Sequence, residues 1–163
     1  MIKEEEKKKE ESLRYFKEAY SAHMGGKIEE AILLYQKSIK VFPTAEAMTF
    51  LGWALSFLGR YEDAIGYCKE AIKIDPDLGN PYNDIGAYLI ELDRLDEAIP
   101  FLEKASTAKR YDNFCYPHYN LGRVWEKKGM IKKAMQSYQR ALEENPEYAV
   151  ATESLEILKN KLN

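Results

Sequence analysis

A chain that repeats its own punctuation at a near-constant interval has few folds open to it. Here an alanine recurs in Glu30-Ala31-Ile32, Asp63-Ala64-Ile65, Glu97-Ala98-Ile99 and Lys133-Ala134-Met135, at steps of 33, 34 and 36 residues. A turn residue keeps step five positions earlier, as Gly26, Gly59, Asp93 and Gly129. A proline closes three of the units at Pro43, Pro76 and Pro146, while Arg110 stands in its place in the third. Apolar residues recur at helical spacing on both sides of each turn, which predicts two short amphipathic helices per unit. Neither helix of such a hairpin can bury its apolar face alone, so each unit needs neighbours like itself.

The repeated positions carry a packing rule. The column Ala19, Gly52, Gly86, Gly122 admits nothing larger than a methyl group, and Ala31, Ala64, Ala98 and Ala134 form a second small column. Glycine inside a helix costs roughly 1 kcal/mol against alanine, and is tolerated where two helices cross closely. Large residues such as Tyr35 and Tyr138 should fill the space beside them. The predicted inward residues are Tyr15, Ala19 and Ala22 in the first unit; Met48, Leu51, Gly52 and Leu55 in the second; Tyr82, Ile85, Gly86 and Leu89 in the third; and His118, Leu121, Gly122 and Trp125 in the fourth. Asn80-Pro81 reads as an N-cap followed by a proline in the first turn, and Pro117 holds the equivalent place.

Leu51-Gly52-Trp53, Leu58-Gly59-Arg60-Tyr61-Glu62-Asp63-Ala64-Ile65 and Asp75-Pro76, recurring in this register over about 12–148, resemble the tetratricopeptide repeat family. The resemblance implies an all-α, right-handed α-solenoid of helix–turn–helix repeats. Four repeats are expected, at about 12–44, 45–78, 79–112 and 115–148. Residues 1–11, charged on every face, read as an extension of the first helix. Residues 149–163 read as a capping helix, with Ala151, Leu155, Leu158 and Leu162 on one apolar stripe. Around Ser106–Phe114 the third unit carries two extra residues, which leaves two alternatives open: a longer second helix or a bulged loop.

Composition narrows the function. The 163 residues are 45% apolar and 31% charged with net charge −3, which gives no general attraction to nucleic acid or anionic membrane. No apolar run approaches a membrane span, and Met1–Lys9 lacks the apolar core of a signal peptide, so the expected compartment is the cytoplasm. Cys68 and Cys115 have no metal-binding or redox spacing. His23 and His118 belong to no HExxH or Cys/His cluster, and His118 falls in a core column. Asp75-Pro76-Asp77-Leu78-Gly79-Asn80 fails as a calcium loop, because its glycine falls one place early and its twelfth place is Gly86. No P-loop, dinucleotide fingerprint or nucleophile elbow is present, so neither an enzyme nor a cofactor is expected.

In stacks of the resembled family the first helices line a concave groove. With about 100° per residue, a second stripe lies off the core stripe. It comprises Leu13, Phe16, Tyr20 and His23; Glu46, Thr49, Trp53 and Ser56; Asn80, Asn83, Ala87 and Ile90; and Tyr116, Tyr119, Arg123 and Glu126. Aromatics and arginine are enriched at binding hot spots. The candidate groove residues are therefore Phe16, Tyr20, Thr49, Trp53, Asn83, Tyr116, Tyr119 and Arg123. One subclass of the family clamps the C-terminal carboxylate of heat-shock chaperones with lysine, asparagine and arginine. Phe16, Tyr20 and Trp53 stand where that clamp would begin, so the resemblance does not extend to it. The expected role is a non-enzymatic scaffold or adaptor that holds a protein or peptide, as a monomer or weak homo-oligomer, without nucleic acid or membrane. The alternatives are self-assembly by a tail or cap docking in a neighbour's groove and, behind it, RNA binding by a helical-repeat array.

Overall fold

The computed structural model describes residues 1–163, and the fold is all-α. Its nine helices are α1 (Ile2–Met24), α2 (Ile28–Val41), α3 (Ala45–Phe57), α4 (Tyr61–Ile74), α5 (Gly79–Glu91), α6 (Leu95–Ser106), α7 (Cys115–Lys127), α8 (Ile131–Glu144) and α9 (Ala149–Leu162). The chain divides into two compact units, Met1–Pro76 and Asp77–Asn163. In the first, α1 packs on α2, α2 on α3 and α3 on α4. In the second, α5 packs on α6 and α7, α6 and α8 on α7, and α9 on α8.

The four hairpin turns are built alike. Gly26, Gly59 and Gly129 have φ of 78°, 71° and 74°, and Asp93 takes the same left-handed region at 57°. That conformation is cheap for glycine and tolerable for aspartate. The next residue then reaches back five positions: Lys27 N–H to Ala22 O, Arg60 to Leu55, Arg94 to Leu89 and Met130 to Trp125, all at 2.8–3.1 Å. This bond satisfies a carbonyl that the helix end would otherwise orphan. Phe42, Asp75 and Asn145, each followed by a proline, are extended, as the proline ring demands of its predecessor.

The small columns sit at helix crossings. A Cβ on Gly52 would lie 3.0 Å from Ala64 O and 3.1 Å from Cys68 Sγ. On Gly86 it would meet Leu102 Cδ2 at 2.3 Å, and on Gly122 the Tyr138 ring at 2.4 Å. Ala31, Ala64, Ala98 and Ala134 are fully buried, and Tyr35 and Tyr138 are among the largest buried side chains.

Three expectations are corrected, and one pair of alternatives is decided. In α1 the buried residues are Ser12, Ala19 and His23, whereas Tyr15 and Ala22 are half-buried. The register is set by a serine clasp. Ser12 Oγ donates to Ser38 O (3.0 Å) and lies 2.9 Å from Phe42 O, while Ser38 Oγ donates to Ser12 O (2.8 Å). Next, α5 begins at Gly79, so Asn80 lies inside the helix and caps nothing. At the third joint the bulged loop is the alternative that holds: α6 stops at Ser106, and the segment before α7 folds back onto the start of α5. Arg110 N–H donates to Asp77 O and Gly79 N–H to Arg110 O, both at 3.0 Å, and Tyr111 lies buried against Gly79. Finally, Ala151, Leu155 and Leu158 of α9 are buried, but Leu162 is exposed.

Candidate functional site

In the first unit, α1 and α3 bring a run of rings together. Phe50 lies at its centre, with centroid distances of 5.3 Å to Phe16, 5.8 Å to Tyr20 and 5.7 Å to Trp53, each pair edge-on. Trp53 continues the run to Phe57 at 5.8 Å and tilts over His23 at 4.2 Å. Edge-to-face pairs contribute roughly 0.5–1.5 kcal/mol each beyond the area they bury, so the rings hold one another in place. The run is not sealed: Leu13, Tyr20 and Phe57 are exposed, and Phe16, Phe50 and Trp53 are half-buried. Beside it a pocket of about 300 Å³ is lined by Leu13, Phe16 and Phe42 together with Lys9 and Glu46.

In the second unit the corresponding face is polar. Asn120 Nδ2 donates to Asn83 Oδ1 (3.0 Å), Arg123 Nη1 to Asn120 Oδ1 (3.1 Å) and Arg123 Nη2 to Glu91 Oε1 (2.6 Å). Burial pushes the carboxyl of the neighbouring Asp84 up to about 7, against a smaller downward pull from the Asn83 side chain. The network therefore runs from two buried amides through a guanidinium to the Glu91 carboxylate. Tyr116 and Tyr119 flank it, both edge-on to Tyr148 at 5.5 and 5.3 Å. Burial raises the Tyr148 phenol to about 12.

The predicted groove residues thus fall into two groups. Phe16, Tyr20 and Trp53 are gathered on the first unit's face; Tyr116, Tyr119 and Arg123 stand on the second's, with Tyr116 exposed and the other two half-buried. Thr49 and Asn83 lie beneath the surface instead: both are buried, and the Thr49 hydroxyl is turned to Ala45 O at 2.7 Å. Of the remaining stripe, His23 and Ile90 are buried as well. Glu126 accepts from the Tyr138 hydroxyl at 2.7 Å. Phe50, Phe57, Asn120 and Glu91 were not predicted. The spacing Phe50, Trp53, Phe57 is i, i+3, i+7 on one helix, a signal that would have found the first two. Nothing in the sequence marks Asn120 or Glu91, whose partners lie 37 and 32 residues away.

No three His, Cys, Asp or Glu side chains stand close enough to hold a metal ion. Cys68 and Cys115 are free and buried, and burial pushes the Cys115 thiol up. His118 is half-buried, with its pKa lowered first by burial and then by Arg140. No helix is long and apolar enough to cross a membrane.

Comparison with known proteins agrees with this architecture. Family models described as tetratricopeptide repeat match residues 4–45, 45–78, 80–112 and 116–148. The BBSome complex member BBS4 of Bos taurus is 28% identical over 123 residues, which is 75% of this chain and 23% of that protein. The chain thus spans about a quarter of that relative's length. Among solved structures, pilF of Pseudomonas aeruginosa superposes with a TM-score of 0.88 at 21% identity, over 94% of this chain and 70% of that one. YrrB, described as a TPR protein with an unusual peptide-binding site, gives 0.70 at 20% identity over 96% and 80%. Such identities speak for the fold, an all-α helical-repeat solenoid. With repeat models matching in all four segments, the chain belongs to the tetratricopeptide repeat family.

Proposed function

We propose that this protein is a non-catalytic interaction module that holds a partner polypeptide on the α1/α3 aromatic face of its first unit. The observation that carries this reading is the run Phe16, Tyr20, Phe50, Trp53: rings fixed by edge-on contacts yet left open to solvent at Tyr20 and Leu13. A preordered aromatic surface binds with little loss of side-chain freedom. Membership of the family supports the same role, as does a similar fold described as peptide-binding. Tyr116, Tyr119 and Arg123 of the second unit make a second contact surface. Thr49 and Asn83 act beneath the two faces as supports.

The test is selection from a displayed peptide library on the full chain, followed by calorimetric titration of the peptides recovered. Trp53→Ala should weaken them by about 2 kcal/mol, near thirtyfold, with Phe16→Ala and Tyr119→Ala acting in the same direction. The melting temperature is measured on the same variants. If the selected peptides bind all three variants as they bind the parent, the partner surface lies elsewhere.

A further inference from the structure

Beneath the aromatic face lies a buried polar atom with no hydrogen-bond partner. His23 is only 4% exposed, and its Nε2 is unpaired. Its other nitrogen, Nδ1, is engaged with the Tyr35 hydroxyl of α2 at 3.3 Å. Unpaired buried groups are rare in native proteins, and each one calls for a cause. The two nitrogens of an imidazole point in divergent directions, so Nε2 faces away from Tyr35. The other rings against His23 are both on α3: Trp53 at 4.2 Å, and Phe57 edge-on at 5.3 Å. Phe57 is the last residue of α3 and is 60% exposed; its ring rests on His23 and on Trp53 at 5.8 Å.

We propose that His23 Nε2 is the floor of a subsite for a tyrosine side chain of the partner polypeptide, reached when the Phe57 ring swings aside. This rests on the reading of the α1/α3 face given above. The chemistry selects tyrosine. Walls made of Trp53 and His23 favour a flat apolar body, and the place vacated by Phe57 is the size of a phenyl ring. The tip must pair with a nitrogen whose role depends on the tautomer, because the Tyr35–Nδ1 contact can run in either direction. A phenol both donates and accepts, so it satisfies Nε2 in either tautomer. An indole N–H only donates, and a phenylalanine leaves the nitrogen unpaired. Burial lowers the His23 pKa, so a neutral tip suits it. A tyrosine ring thus replaces the Phe57 ring like for like and adds the hydroxyl that Nε2 lacks.

The test compares N-acetyl-tyrosinamide with N-acetyl-phenylalaninamide on the full chain at pH 7.5, followed by the Trp53 indole N–H and the His23 imidazole ¹⁵N resonances. The tyrosine amide should bind about tenfold tighter, the return expected for pairing a buried polar group, and it should move the Nε2 resonance to a hydrogen-bonded value. His23→Phe should erase the preference. Phe57→Tyr supplies the hydroxyl within the chain, so it should move Nε2 by itself, raise the melting temperature and weaken the tyrosine amide several-fold. Equal binding of both amides with Trp53 still responding, a preference that survives His23→Phe, or an Nε2 unmoved by Phe57→Tyr overturns the tyrosine floor and leaves the aromatic face standing. A hydrogen-bonded Nε2 in the free protein, from a trapped water, overturns the floor too. Silence of Trp53 toward both amides at their solubility limit removes the floor and the face together.

Discussion

Substituting alanine for each helical glycine in turn turns the packing rule into a graded measurement. At Gly122 the new Cβ falls 2.4 Å from Tyr138 Cε1, 2.5 Å from Cδ1 and 3.0 Å from Cζ. Tyr138 cannot retreat easily. It is 1% exposed, packs with Leu155 and Leu158, and is tied by its hydroxyl to Glu126 at 2.7 Å. Overpacking such a site costs about 1–3 kcal/mol, and straining a hydrogen bond to a charged acceptor adds about 1 kcal/mol or more. The gain in helix propensity returns roughly 1 kcal/mol, so Gly122→Ala should lose about 1–3 kcal/mol net. At Gly86 the obstacle is the Leu102 side chain, with Cδ2 at 2.3 Å. A leucine has other rotamers, so Gly86→Ala should lose less, and Gly86→Leu should lose more than either. At Gly52 the Cβ meets backbone and sulfur at 3.0–3.1 Å, which asks for a shift of a few tenths of an ångström. At Gly66 it meets nothing within 4 Å, so Gly66→Ala should gain about 0.5–1 kcal/mol. Thermal unfolding followed by circular dichroism ranks the series, at about 2–4 °C of melting temperature per kcal/mol for a chain of this size. If Gly122→Ala melts with or above Gly66→Ala, the column does not face the crossing and the packing account fails.

Other expectations follow from particular contacts. The Asp84 carboxyl titrates near 7 when folded against roughly 4 unfolded, so the folded state holds a proton that the unfolded chain has lost. The stabilisation from that proton is complete below about pH 4 and is lost as pH rises through 7. Asp84→Asn should raise stability at pH 8 by on the order of 1–3 kcal/mol and change little at pH 4; equal effects at both would contradict the assignment. His23 has the opposite sign. Its folded pKa is lowered by burial, so its contribution is present above about pH 6.5 and lost as pH falls. His23→Phe should flatten that acid limb in a melting-temperature profile. A Cβ on Gly79 would lie 2.5 Å from Tyr111 Cγ, so Gly79→Ala should lift the 107–114 segment and speed its cleavage by a protease. Deleting 149–163 uncovers Tyr138 and should bring aggregation, read by light scattering; an equally stable monomer would deny α9 its covering role.

What could be read from the sequence was what the backbone repeats. The turn residues and the small columns are fixed by local geometry that recurs in every hairpin, and the residues before the closing prolines by geometry that recurs in three. Even Asp93, which breaks the glycine pattern, was placed by register alone and takes the same left-handed turn. What could not be read depends on contacts between segments far apart in the chain. The register of α1 follows from Ser12 and Ser38 bonding across 26 residues, and two serines carry no apolar signal. The third joint follows from Arg110 pairing with Asp77 and Gly79, which spacing cannot reveal. The helical wheel gave the direction of Thr49 and Asn83 about their own helices, but not the neighbouring helix that buries them.

The same division separates the positions that make the fold from those open to function. Gly52, Gly86 and Gly122 sit in one column and do one thing, so their identity is set by the crossing. One residue further on, Tyr20, Trp53, Ala87 and Arg123 share a column and nothing else. In the first unit that column joins an aromatic run; in the second it contributes a guanidinium held between Asn120 and Glu91. Packing tolerates all four because none of them has to fit a crossing. The two units therefore present different chemistry on the same scaffold, aromatic rings on one and, on the other, a polar network that runs from buried Asn83 and Asn120 out to Glu91. Exchanging Trp53→Arg or Arg123→Trp should then change which peptides bind while leaving the helices in place. If either exchange unfolds the chain, the column belongs to the core after all.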